Sequence, residues 1–270
     1  MPIVKAGPYD VDYAETGSGP TVLLLHSSAA GNRQWRKLMD ELAGRYRLIA
    51  INLFGYGGTS KWPGERPMKL ADQAALVAAA ADLDPGPIAI IGHSLGAAVA
   101  CEAALQLGRR VRVLALYEPI LFYLLKQQGE KDAYADIETM TGACFPQMKR
   151  GDWQEFGHQF VDYWAGVGAW AATPDDRKAR MLPMLPPIAH EWAALGVDGR
   201  PIAEWGAIDA PVHLLHAADT KLSTKTIAAL LHRAHPRWIF HELPSGGHLA
   251  PIGRPDLVNP LIGRILDGAA

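Results

Sequence analysis

The stretch Pro87-Ile88-Ala89-Ile90-Ile91-Gly92-His93-Ser94-Leu95-Gly96-Ala97-Ala98-Val99-Ala100 decides the reading of this chain. A short, continuous apolar run ends at Gly92, and an Ala-rich helical pattern starts at Leu95. Between them lies Gly92-His93-Ser94-Leu95-Gly96, a G-x-S-x-G string in strand–turn–helix context. A turn this sharp forces its central residue into a strained backbone conformation. Its neighbours must be small, which is why glycines flank it. Ser94 is therefore expected at the carboxyl end of a sheet, with its hydroxyl presented outward. The following helix offers unpaired N–H groups and a positive dipole end beside it.

Outward from this turn the same alternation repeats. TVLLLHS from Thr21, RLIAIN from Arg47, VRVLALYEP from Val111, PVHLLHA from Pro211 and RWIFHEL from Arg237 read as strands. Near-continuous apolar runs suit strands covered on both faces. QWRKLMDELAGRY, LADQAALVAAAADL, LGAAVACEAALQLG, TKTIAALLHRA and a segment from about Pro255 read as helices between and after them. Alternating strands and helices predict an α/β fold with a mostly parallel central sheet flanked by helices.

The rhythm breaks from Pro119 to Trp205, which reads as short helices without a strand. That span holds five of the eight Trp, four of the six Phe and three of the eight Tyr. A small helical insert needs large side chains to build its own core, and part of this apolar surface is expected to roof a pocket. The expected organisation is a core of residues 1–118 and 206–270 with a cap at 119–205. Phe122 and Trp164 in the cap, with Ser27 and Leu249 from the core, are the candidate pocket residues.

A serine hydroxyl needs a base. Of the ten His, His248 fits best: it lies in the loop Ser245-Gly246-Gly247-His248-Leu249-Ala250-Pro251 after the last strand, free to reach across to Ser94. His93 is expected to point away from Ser94, as packing or wall. His213, His216 and His241 fall in strands as sheet residues. His232 and His235 are expected on a solvated face, since no third metal ligand accompanies them, and His158 and His190 on the surface of the insert. The acid that orients the base is expected to be Asp219, just past the PVHLLHA strand, giving the chain order Ser…Asp…His. Glu118, after the preceding strand, is the alternative. The oxyanion donors are expected to be the backbone N–H groups of Leu95 and Ser28, with Ser27 as the fallback.

The remaining sequence narrows the function classes. Net charge is −2 with 20% charged residues, which supplies no basic surface for nucleic acid or anionic membrane. No run of about 18 apolar residues marks a membrane span. The two cysteines, Cys101 and Cys144, are too few for a disulfide scaffold. Cys101, inside AAVACEAAL, reads as a buried thiol, and a reducing cytoplasm is the expected compartment. Gly55-Tyr56-Gly57-Gly58 lacks the complete dinucleotide motif and its acid, and no Walker lysine motif exists.

Taken together these motifs resemble the α/β-hydrolase superfamily nearly end to end. GHSLG looks like the nucleophile elbow, and LLLHSSAAGNRQW like the oxyanion loop with Trp35 after it. INLFGYGGTS is similar to the glycine loop that follows the next strand. HAADT matches the acid position, SGGHLAPI the histidine loop, and the insert from Pro119 takes the place of the helical cap. His26-Ser27 stands where many members have His-Gly, and Asn52 replaces the commoner acid of the glycine loop. Ser94 in place of an aspartate argues against a dehalogenase or epoxide hydrolase. The resemblance implies hydrolysis of a small to medium ester, thioester or lactone without metal or organic cofactor, with a small acyl substrate as the partner. Acyl transfer, C–C bond hydrolysis or perhydrolysis by the same triad, and a receptor with a slow triad, are the alternatives; oligomeric state is left open.

Overall fold

A computed structural model describes residues 2–196 and 199–268. One eight-stranded sheet runs through it in the order β1-β2-β4-β3-β5-β6-β7-β8. Strands β3 (Thr21–Leu25), β4 (Arg47–Ile51), β5 (Ile88–His93), β6 (Val111–Tyr117), β7 (Val212–Ala217) and β8 (Ile239–Leu243) are parallel neighbours. Strands β1 (Ile3–Ala6) and β2 (Tyr9–Thr16) add an antiparallel hairpin at one edge, with β2 also antiparallel to β4. All six strands expected from the apolar runs are present. The hairpin was not expected, because Tyr9–Thr16 alternates Asp10, Asp12 and Glu15 with its apolar residues and lacks a continuous run.

Every residue of β3, β5 and β7 is buried, as strands covered on both faces must be. Helices Leu70–Ala81 and Leu95–Leu107 cover one face. The second is buried on all sides from Leu95 to Ala104, and its small residues let it lie close to the sheet. Arg36–Leu42 and Pro255–Leu266 pack on the other face, where Leu38, Leu42, Val258, Ile262 and Ile265 meet Val22, Leu24 and Ile91.

Between β6 and β7 the chain forms a helical insert comprising Lys131–Arg150, Trp153–Ala165, Ala169–Ala172, Asp175–Met181 and Ile188–Leu195. The short helix Tyr123–Gln127 before it buries Tyr123, Leu124 and Leu125 in the main core. Among the described residues no helix is long and apolar enough to cross a membrane. Cys101 and Cys144 are free and buried.

Candidate active site

The elbow is built as its glycines require. Ser94 adopts φ 57° and ψ −116°, a region that costs a non-glycine residue about 1–3 kcal/mol. A Cβ on Gly92 would come within 2.5 Å of the Gly96 carbonyl oxygen, and one on Gly96 within 2.2 Å of the Leu25 carbonyl oxygen. The turn is tied to the sheet by Ser94 N–H donating to the Tyr117 carbonyl at 2.9 Å.

The histidine loop closes over this turn. His248 Nε2 lies 2.9 Å from Ser94 Oγ, placed to accept the hydroxyl proton. Its Nδ1 lies 2.7 Å from Oε2 of Glu118, so with a carboxylate as acceptor Nδ1 carries the hydrogen. Glu118 is fully buried at the carboxyl end of β6, with φ 45°. Its carboxylate also accepts from Ala217 N–H at 3.0 Å and from the Thr220 hydroxyl at 2.7 Å. These fixed donors leave Oε2 aimed at the imidazole.

Among the described residues, Asp219 makes no hydrogen bond or ion pair with His248. It is exposed and accepts Gly246 N–H at 3.1 Å and Gly247 N–H at 2.9 Å, bonds that hold its carboxyl below the ordinary aspartate range. The structure thus brings Glu118, the alternative acid, to His248 and does not bring Asp219 there. Both residues follow adjacent strands at the same sheet edge. The backbone twist at Glu118 turns its side chain inward, while the shorter Asp219 is taken up by the backbone of the glycine pair.

Two further contacts fix the loop. Tyr117 O–H donates to the Gly247 carbonyl at 2.8 Å, and His93 Nε2–H to the His248 carbonyl at 2.8 Å. His93 is fully buried packing that does not line the pocket, and burial pushes its pKa well below the usual histidine value. On the open side, the Trp164 ring stacks on the His248 ring, with centroids 4.1 Å apart and planes 28° apart.

The oxyanion loop follows β3. His26 is buried; Nδ1–H donates to the Ser27 carbonyl at 2.7 Å and Nε2 accepts Leu53 N–H at 3.0 Å. Burial lowers its pKa to about 4, consistent with that neutral form. The Ser27 N–H is taken by Gln34 Oε1 at 3.0 Å, so the fallback donor is already engaged. Among the described residues the Ser28 N–H has no backbone acceptor. Leu95 opens its helix, so its N–H lacks an intrahelical acceptor. Asn52 ties the surroundings together, accepting Asn32 N–H at 2.8 Å and donating to Asp12 at 2.9 Å.

These groups open into a narrow pocket of ≈ 50 Å³. Ser27, Ser28, Ser94, His248, Phe122, Trp164 and Leu249 line it. The rest of its wall is apolar except for Glu191, which sequence reasoning did not single out. Glu191 is 1% exposed on helix Ile188–Leu195, where it falls on the inward stripe with Ile188, Ala194 and Leu195. That spacing was the available signal. Burial pushes its carboxyl up to about 7, against the lowering effect of hydrogen bonds from Ser28 and Tyr56.

The other histidines sit apart from the site. His213 and His241 pair at 2.9 Å between β7 and β8. His216 hydrogen-bonds the Ala217 carbonyl at 3.1 Å. His235 was expected on a solvated face but is buried, with Nε2–H donating to the Ile202 carbonyl at 2.9 Å. Among the described residues no group of three or more His, Cys, Asp or Glu is placed to hold a metal ion.

Comparison with known proteins agrees with this architecture. The chain is 33% identical over 150 residues to the magnesium-chelatase 30 kDa subunit of Rhodobacter capsulatus, covering 54% of this chain but only 47% of that protein. It is 26% identical over 252 residues to the pimeloyl-[acyl-carrier protein] methyl ester esterase of Nitrosomonas europaea, covering 89% of this chain and 93% of that one. The protein named "Putative carbamate hydrolase RutD" of Azorhizobium caulinodans is 31% identical over 274 residues, covering 97% of each. The structure of an alpha/beta hydrolase from Sphaerobacter thermophilus superposes with a TM-score of 0.72 at 20% identity, covering 98% of this chain and all of that one. Residues 22–261 match the family described as "Alpha/beta hydrolase family", and the chain belongs to it.

Proposed function

We propose that this protein is a serine hydrolase that cleaves a small to medium ester, thioester or lactone through an acyl-enzyme on Ser94. The observation that carries this reading is the buried chain from Ser94 Oγ through His248 to Glu118, with links of 2.9 and 2.7 Å. His248 Nε2 takes the hydroxyl proton as Oγ attacks the carbonyl carbon. The carbonyl oxygen becomes an anion, stabilised by the N–H groups of Leu95 and Ser28. His248 then gives its proton to the leaving group as the acyl–oxygen or acyl–sulfur bond breaks. Water, deprotonated by the same nitrogen, attacks the acyl-enzyme and releases the carboxylic acid. Glu118 holds the imidazole in the Nδ1–H form and stabilises the imidazolium that forms transiently.

The largely apolar wall fits a substrate with an apolar portion beneath the insert. The ester and carbamate named for the two near full-length relatives are both acyl compounds open to the same attack. Treatment with a fluorophosphonate, followed by peptide mass spectrometry, tests the proposal. A single phosphonyl adduct on Ser94, lost in Ser94→Ala, supports it and justifies an ester and thioester screen. Folded protein that gains no adduct overturns it.

A further inference from the structure

We infer that Glu191, reaching in from the insert, is a positioning residue for the oxyanion loop. Its carboxylate accepts the Ser28 hydroxyl at 2.5 Å through one oxygen and the Tyr56 hydroxyl at 2.6 Å through the other. Tyr56 in turn accepts Ala29 N–H at 3.0 Å. One side chain thus holds two consecutive residues of the loop that carries the proposed Ser28 donor. This inference rests on the serine-hydrolase reading and concerns how its oxyanion donor is aimed.

The loop needs such holding. Ala29 has φ 59°, strained for a residue with a Cβ. Side chains secure the segment instead of a strand ladder: Gln34 at Ser27, Glu191 at Ser28 and Tyr56 at Ala29. Packing alone does not require a carboxyl there, because the inward stripe of helix Ile188–Leu195 otherwise carries Ile188, Ala194 and Leu195. No cation contributes to its electrostatics, so its burial is opposed by a desolvation cost that only the two hydroxyl bonds offset. The elevated pKa of Glu191 is a consequence of the same enclosure.

The test compares wild type with Glu191→Gln, Tyr56→Phe and Ser28→Ala. Each is measured for turnover of a p-nitrophenyl ester and for binding of two inhibitors of the same chain length. One is a trifluoromethyl ketone, which forms an oxyanion with the serine; the other is the matching ether, which fills the pocket without one. A glutamine offers one acceptor oxygen, so one hydroxyl loses its partner. We expect about a 10- to 100-fold loss of kcat in Glu191→Gln, the scale of a misdirected oxyanion donor. Ketone affinity falls in parallel, while KM and ether affinity hold. Ser28→Ala retains its backbone N–H, so an equivalent ketone-specific loss there isolates the hydroxyl–carboxylate link even if Glu191→Gln does not fold. Unchanged ketone affinity in all three variants, or equal loss for ketone and ether, overturns the inference and leaves the serine chemistry standing. A wild type that binds the ketone no more tightly than the ether overturns both.

Discussion

His248 Nδ1 and Glu118 Oε2 stand 2.7 Å apart inside the protein, whereas Asp219, one strand further along the sheet, spends its carboxylate on the N–H groups of Gly246 and Gly247. The two acids divide the work of one loop: Glu118 contacts the ring, and Asp219 holds the backbone that carries it. Glu118→Gln replaces an acceptor by an amide that can favour the wrong tautomer. It is expected to lower kcat about 10³- to 10⁴-fold. Asp219→Asn keeps an acceptor oxygen for one glycine N–H and is expected to cost less than about 10-fold, the small part of a loop hydrogen bond. Steady-state kinetics of both variants on one ester check this; a larger loss in Asp219→Asn would return the orienting role to that residue.

Trp164 covers the other face of the same imidazole at 4.1 Å. In the proposed acyl transfer the ring carries a positive charge, and an aromatic face over it stabilises that charge by about 0.5–2 kcal/mol. Trp164→Leu, which keeps an apolar wall, is expected to lower kcat by about 2- to 30-fold. Steady-state kinetics on one ester check this; an unchanged kcat with a raised KM would make Trp164 a wall and nothing more.

Local pattern picked out most of the residues that the structure brings together here. Strand–turn–helix context marked Ser94, and the glycine-flanked loop after β8 marked His248 and Leu249. The helical insert announced itself through Trp153, Trp164, Trp170 and Trp192. What stayed hidden depends on contacts across the fold. Glu118 and Asp219 follow neighbouring parallel strands, and only the turn of the chain at each decides which reaches the imidazole. Glu191 is separated from Ser28 by 163 residues, so no window of sequence joins them. The β1–β2 hairpin escaped because Asp12, an acid in its middle, is buried against Asn52 and Gly58.

The elbow glycines are steric requirements, unlike most glycines of the chain. Gly96→Ala would drive a Cβ into the Leu25 and His26 carbonyls, neither of which can rotate away. A loss of about 3 kcal/mol or more is expected, equivalent to roughly 6–12 °C in Tm at this chain length. Gly142 lies exposed in helix Lys131–Arg150 with nothing within 4 Å of an added Cβ. Gly142→Ala is expected to stabilise by about 0.5–1 kcal/mol. Thermal melts of the two variants should move in opposite directions; a tolerated Gly96→Ala would refute the close approach of helix and loop.

Glu191 should also leave a signature in stability. Its folded carboxyl is raised from 4.5 to about 7, so between those values the folded protein holds a proton that the unfolded chain has released. Stability from this group is therefore fully present below about 4.5 and is lost as pH rises through about 7. The shift corresponds to something on the order of 3 kcal/mol. Buried His26, lowered to about 4, works in the opposite direction, adding stability as pH rises from about 4 to 6.5. That contribution is common to wild type and Glu191→Gln and cancels in their difference. Urea unfolding of both proteins at pH 5 and pH 8 reads that difference directly. Wild type should lose stability relative to Glu191→Gln on going to the higher pH. A difference that stays flat would mean that Glu191 titrates as an ordinary carboxyl, its burial offset in full by the hydroxyl bonds from Ser28 and Tyr56.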